Sequence, residues 1–350
     1  MKIEEIDKNL KVETSIEEKN LKFLSVKEKP FELYGFCGND FVRLPMNVAE
    51  KVNDGVKLLS TNTAGGRVRF KTDSPYIAIS VKWPSMMHFP HMPVTGVSGF
   101  DTYSKTENGY VYENTFIPPV DANDGYESIQ YFRTRKMRDI TIDFPLYNDV
   151  SELYIGLAND AVIESGDKYK NKKPIVYYGS SITQGGCASR PGTSYQAIIS
   201  RRFDYDYINL GFSGSALGEE PIARYIADLD MSCFVMDYDH NAYNYKYLQK
   251  THLPFYKIIR EKNPELDIIL MSSPLCTVLE DIEERKAVIK ATYDYAVQNG
   301  DKHIYFVDGQ KMFPLYGGDS GTVDGIHPND LGFMCMANLL AEEIKKCSIK

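Results

Sequence analysis

The chain has 350 residues, 43% hydrophobic and 25% charged, a globular composition that argues against disorder and, at this length, favours two domains over one. Lysines and arginines number 40 against 48 aspartates and glutamates, a net charge of −8, and neither half of the chain is basic. That balance excludes the basic patch through which a nucleic-acid binder neutralises phosphate, and gives a membrane-surface role no more support.

Residues Met1 to Glu13 carry charges where a secretory signal would carry its apolar stretch, and no run approaches the ~18 apolar residues of a membrane span. The expected location is therefore cytoplasmic. Six cysteines (Cys37, Cys187, Cys233, Cys276, Cys335 and Cys347) are scattered without CxxC or other metal spacing and are expected to be free thiols. Short β-rich runs follow one another up to about Ile155: Arg67 to Phe70, Tyr76 to Trp83, Gly109 to Phe116, Ser128 to Phe132, Asp139 to Phe144 and Ser151 to Ile155. Turn signals such as Ala64-Gly65-Gly66 and Asn123-Asp124-Gly125 separate them, and the pattern predicts an antiparallel, jelly-roll-like β-sandwich over residues 1–172, closed by a polar linker at Glu164 to Lys173.

From Pro174 the rhythm changes. Compact apolar runs at Ile175 to Tyr178, Tyr207 to Leu210, Cys233 to Met236, Asp267 to Met271 and Ile304 to Val307 alternate with amphipathic stretches. The latter predict helices at Tyr195 to Phe203, Glu219 to Asp228, Tyr247 to Lys262, Leu279 to Gln298 and Asn329 to Lys346. Such alternation means right-handed βαβ units, so residues 173–350 are expected to form a flavodoxin-like α/β/α domain with a five-stranded parallel sheet, whose ligands sit beyond the carboxyl ends of the strands.

Chemistry-bearing residues gather at those strand ends. Gly179-Ser180-Ser181-Ile182-Thr183 follows the first strand, Asn209 to Ser215 the second, Asp239-His240-Asn241 the third, and Asp324-Gly325-Ile326-His327-Pro328 precedes the last helix. A serine, glycine amides, an asparagine amide, and an Asp and His three residues apart are the parts of acyl transfer. The serine needs a base, the base a carboxylate to fix its tautomer, and the oxyanion donors already aimed at it. No HExxH, GxxxxGK[ST] or helix-opening GxGxxG is present, and no cofactor is expected.

These four blocks, in order, resemble those of the SGNH hydrolase superfamily of GDSL-like lipases and acylhydrolases, and the segment Gly96 to Tyr103 is similar to the GxDLY signature of a domain that precedes some of them. The resemblance implies a nucleophile at Ser181, an acid–base pair at Asp324 and His327, and an oxyanion hole from Ser181, Gly214 and Asn241. The chain departs from the family pattern at Ser180, where Asp is usual, in a third block that lacks its Gly and final Asp, and at Thr102, where Leu is usual.

Other readings stand beside these. Ser213 and Ser215 are competing serines; Asn241 could be a turn former and Gly214 a purely conformational glycine. Arg190 could touch substrate or brace the active-site loop, the brace being favoured, and His240 reads as a pocket residue. His88-Phe89-Pro90-His91 looks like a metal pair, but with no further ligand nearby in sequence no metal is expected. Trp83, Met86, Met87, Phe89 and Met92 read as packing residues or, more sharply, as a sugar-stacking surface. The function expected is a serine esterase acting on small O-acetylated sugars. Alternatives are an acyltransferase, thioesterase or lipase with the same triad, and a carbohydrate-binding protein with an inactive hydrolase domain. A homo-oligomer is left open.

Overall fold

A computed structural model describes residues 15–38, 40–119, 121–274, 278–312 and 320–349. The amino-terminal stretch read for a leader and Cys276 lie outside the described residues; the other five cysteines are free thiols.

The first region has ten strands: β1 (Leu21–Ser25), β2 (Glu32–Tyr34), β3 (Arg67–Thr72), β4 (Tyr76–Lys82), β5 (Phe100–Thr106), β6 (Gly109–Phe116), β7 (Gly125–Tyr131), β8 (Arg138–Asp143), β9 (Glu152–Ala158) and β10 (Ile163–Ser165). They form two antiparallel sheets, β1-β9-β4-β7 and β10-β3-β8-β5-β6, with β2 also on β3. Alternation along the strands decides what lies between them. Val68 and Phe70 of β3 and Ile140 and Ile142 of β8 face Ile77, Ile79 and Val81 of β4 and Ile155 and Leu157 of β9 in one buried cluster, which is a sandwich core.

The second region has β11 (Ile175–Gly179), β12 (Tyr207–Gly211), β13 (Cys233–Asp237), β14 (Asp267–Met271) and β15 (Ile304–Val307), all parallel, in the order β12-β11-β13-β14-β15. This is the flavodoxin-like order, and the strand order reverses between β12 and β13, on either side of β11. Both sheet faces are covered. Ile175 and Tyr177 pack with helices Tyr195–Phe203 and Asp330–Ile344, whereas Val176 and Tyr178 pack with helices Glu220–Ala227, Tyr245–Lys262 and Ile282–Gln298.

Three features depart from the sequence reading. The predicted linker is not free: Glu164 and Ser165 belong to β10, paired with β3, and Asp167 pairs with Lys71 at 2.6 Å. Two short helices, Met46–Val52 and Asp54–Leu59, were not predicted, and their Ala49 and Val56 are buried in the second region's core. Finally Arg43, 1% exposed, donates to four carbonyls: Asn62 at 2.7 Å, Leu59 at 2.7 Å, Asn209 at 3.1 Å and Gly211 at 2.7 Å. A surface-like residue in sequence is thus the plug between the two regions. Since each buried acceptor left unpaired costs about 1–3 kcal/mol, Arg43→Ala is expected to lower unfolding stability by about 3–5 kcal/mol, against near-zero change for exposed Lys57→Ala. Denaturant titration checks this, and a loss below about 1 kcal/mol for Arg43→Ala would contradict it.

Candidate active site

Gly179 ends β11 where no side chain fits: a Cβ there would lie 2.0 Å from Thr183 Oγ1 and 2.1 Å from the Asp237 carbonyl. The chain then turns at once into the short helix Ser181–Gln184, capped by Ser180, whose hydroxyl accepts the Ile182 N–H at 3.2 Å. Ser180 is therefore the cap and Ser181 the first helical residue, with its Oγ 2.9 Å from Nε2 of His327. The other imidazole nitrogen, Nδ1, lies 2.7 Å from Asp324 Oδ2. Asp324 Oδ1 also accepts the backbone N–H groups of Ile326 at 3.0 Å and His327 at 2.8 Å. Burial would raise the Asp324 pKa, but the His327 N–H, its ring and the Ile326 N–H outweigh it and hold the carboxyl down at about 2.

The oxyanion candidates are tied to this turn. Phe212 N–H donates to the Gly179 carbonyl at 2.8 Å and Ser213 N–H to Gln184 Oε1 at 2.9 Å, which fixes the loop after β12 against the Ser181 turn. Gly214 in that loop has φ +66°, a conformation that favours glycine, with open space where a Cβ would stand. Neither its N–H nor that of Ser181 meets a protein acceptor among the described residues. Asn241 donates one amide hydrogen to the Phe212 carbonyl at 2.8 Å, leaving its second N–H for another acceptor.

His240, next to Asn241, has a buried Nε2 without a protein partner. Burial lowers its pKa, with Arg285 and His327 adding to the effect against Asp239 and Asp324. The structure places Arg190 on Asp101, with Nε 3.2 Å from Oδ2, and over the Tyr112 ring at 4.3 Å, the bracing position. The GxDLY-like Asp101 has no exposure, accepts the Gly192 N–H at 3.1 and 3.0 Å, and has its pKa raised by burial and by Asp143 against Arg201 and Arg190. Trp83 and Met86 pack in the sandwich core, and Phe89 and Met92 join the α/β core, which is the packing reading; Met87 is exposed.

Sequence reasoning missed two supports. Asp330, at the start of the last helix, accepts the Ser189 N–H at 2.8 Å and the Thr193 hydroxyl at 2.7 Å, binding the His327 segment to the loop after Ser181. Arg285 donates to the Asp239 and Ala242 carbonyls and holds the third block. An Asp just after His-Pro-Asn was the available signal for the first; nothing local marked the second.

Residues 172–345 match the GDSL-like lipase/acylhydrolase family and residues 21–163 match the GxDLY domain, the N-terminus of SGNH-hydrolase-type esterases. The chain belongs to this family. No curated protein sequence matches it. Among solved structures it resembles a protein described as a GDSL-like lipase from Bacteroides ovatus, at 29% identity and TM-score 0.85, covering 95% of this chain and all of the other. It shares the fold of a salicylyl-acyltransferase from a tetracycline biosynthetic pathway, at 19% identity and TM-score 0.77 over 94% and 98% of the two chains. An acetyl xylan esterase from the rumen bacterium Butyrivibrio proteoclasticus shares it too, at 11% identity and TM-score 0.58 over 93% and 98%. As a GDSL-family chain it is a hydrolase of the esterase type, and no described helix is long and apolar enough to cross a membrane.

With its carboxyl held down at about 2, Asp324 should stay ionised near neutral pH and add no ionisation of its own to the rate profile there. Asp324→Asn, which disturbs the tautomer, is expected to lower kcat roughly 10²–10⁴-fold. Full activity in that variant would make the pair a Ser–His dyad.

Proposed function

We propose that the chain is a serine esterase that removes short acyl groups, chiefly acetyl, from small O-acetylated sugars. The observation that carries the proposal is the continuous chain from Ser181 Oγ to His327 at 2.9 Å and from His327 to Asp324 at 2.7 Å, at the switch point of a parallel sheet. Ser181 Oγ attacks the ester carbonyl while His327 Nε2 takes its proton, and Asp324 stabilises the imidazolium through Nδ1–H. The tetrahedral oxyanion accepts from the Ser181 and Gly214 N–H groups and from the second N–H of Asn241 Nδ2. The imidazolium then protonates the leaving alcohol, water enters, and His327 repeats the step to release the acid and free Ser181. His240, whose buried Nε2 has no protein partner, is the group read here as meeting the alcohol side of the ester.

Two features support a small polar substrate. The sandwich, read as a unit ending near residue 172, reaches the site: the His91 ring lies 5.6 Å from that of His327, and Tyr147 donates to the Ser181 carbonyl at 3.2 Å. The exposed imidazole of His91 beside His327 suits a sugar better than a long acyl chain. The sequence also offers no extended apolar segment to serve as a lid.

Acetyl, butyryl and octanoyl esters and acetylated oligosaccharides should be ranked by kcat/KM with the whole chain, alongside a fluorophosphonate probe. Acetyl esters should lead, and Ser181→Ala should abolish both labelling and turnover. Octanoyl preference would defeat the substrate reading, label on Ser213 or Ser215 the nucleophile, and an added alcohol outcompeting water would make the enzyme a transferase. Asn241→Ala is expected to lower kcat roughly 10²–10³-fold with little change in KM; an effect confined to KM would make Asn241 a ground-state contact.

A further inference from the structure

His91 has a partner set that its own sequence neighbourhood does not show. His88 is exposed and apart from it, but the fold brings Cys187 and His327 to His91, with one ligand atom from each of the three within 4.8 Å of the others. Two imidazoles and a thiol are the donors of a borderline-soft cation, Zn²⁺ or Cd²⁺, and a poor set for Mg²⁺ or Ca²⁺.

The local backbone is built around this meeting. Cys187 holds φ +72°, a left-handed conformation that side chains rarely adopt, and is buried with its Sγ 3.6 Å from the His91 carbonyl. Gly186 before it lets the turn lie flat against the base, since a Cβ there would stand 3.2 Å from Cδ2 of His327. Zinc bonds of about 2.3 Å to sulfur and 2.0–2.1 Å to nitrogen set tetrahedral ligand atoms about 3.4–3.6 Å apart. The exposed His91 side chain can close the remaining gap of about 1 Å.

We propose that His91, Cys187 and His327 form a capture site for a soft divalent cation, Zn²⁺ or Cd²⁺, whose occupation switches the hydrolase off. The balance is simple. The hydrated ion loses three waters, the Cys187 thiol gives its proton to solvent as the metal–sulfur bond forms, and the two imidazoles bind through lone pairs without any change of oxidation state. Inhibition follows whichever nitrogen of His327 is used, because Nδ1 is the partner of Asp324 and Nε2 the partner of Ser181. Burial and the charge of Asp324 push the free thiol up to about 12, which keeps Cys187 unreactive until a metal displaces its proton. The inhibition limb rests on the esterase reading; the binding limb does not.

The test uses the full chain stripped with EDTA, titrated with ZnCl₂ and CdCl₂ and with MgCl₂ as control. Two readouts are followed: turnover of a chromogenic acetyl ester and the ultraviolet Cd–thiolate charge-transfer absorption. Zn²⁺ and Cd²⁺ should inhibit, EDTA should restore the rate, and Mg²⁺ should do nothing. Cys187→Ala and His91→Ala, each scored against its own metal-free rate, should need at least about tenfold more Zn²⁺ for half-inhibition. The Cd²⁺ band should survive in Ser181→Ala and vanish in Cys187→Ala, or in Cys187→Ser should the alanine variant not fold. Unchanged half-inhibition in both variants, or a band that persists without Cys187, would overturn the proposal. A chain that turns over no ester yet shows the Cys187-dependent band would overturn the esterase reading alone.

Discussion

The carboxylate of Asp101 is wholly enclosed, and the placement of the active-site loop depends on how it is satisfied. An unpaired buried charge is not tolerated, so its oxygens draw in the Gly192 N–H, the Tyr103 hydroxyl at 3.2 Å and the Arg190 guanidinium. Gly192 must be glycine for that approach, since a Cβ would stand 2.4 Å from the Tyr103 hydroxyl and 2.6 Å from Asp101 Oδ2. The sandwich thus grips the segment running from the Ser181 turn to the next helix, and the GxDLY-like Asp101 and Tyr103 sit at the joint between the regions. The same seam buries Arg67, paired with Asp206, and Arg69, close to Asp139 and Asp204. Arg67–Asp206 and Arg69–Asp204 run across the two surfaces, while Arg69–Asp139 lies within the sandwich.

Around Ser181 and His327 the ties are hydrogen bonds between segments well apart in sequence. The Asn241 amide holds the Phe212 carbonyl, the Phe212 N–H holds the Gly179 carbonyl, and Asp330 holds the loop at Ser189 and Thr193. Ser181 and Asn241 are each tied by a bond to a distant segment, whereas Asp324 is held within its own by the Ile326 and His327 N–H groups.

Much of this was legible in the sequence because it is periodic or local. The strands Asp267–Met271 and Ile304–Val307 and the helix Tyr195–Phe203 fall where the apolar pattern put them, and the serine, asparagine and Asp–His blocks all come at strand ends or before the last helix. What escaped was what burial turns upside down. Arg43 reads as a solvated surface charge and is among the most enclosed side chains. Glu164 to Lys173 reads as a spacer, because Lys, Asp and Asn give no hint that β10 pairs there or that Asn171 bonds the Asp206 N–H and carbonyl. His91 looked isolated, because contacts between residues about a hundred apart leave no trace in local spacing.

The Arg43 plug has a consequence for the order in which the molecule is made. Its carbonyl partners at Asn209 and Gly211 lie 166 and 168 residues further along. At a synthesis rate of about 5–20 residues per second, Arg43 and the two short helices after it wait roughly 8–33 s for their seat to be translated. During that interval Arg43 has only its near carbonyl partners, Leu59 and Asn62, and the two short helices have no core to enter. Closing so wide a loop is also entropically slow. An early segment thus takes its final seat only on a sheet made much later in the chain.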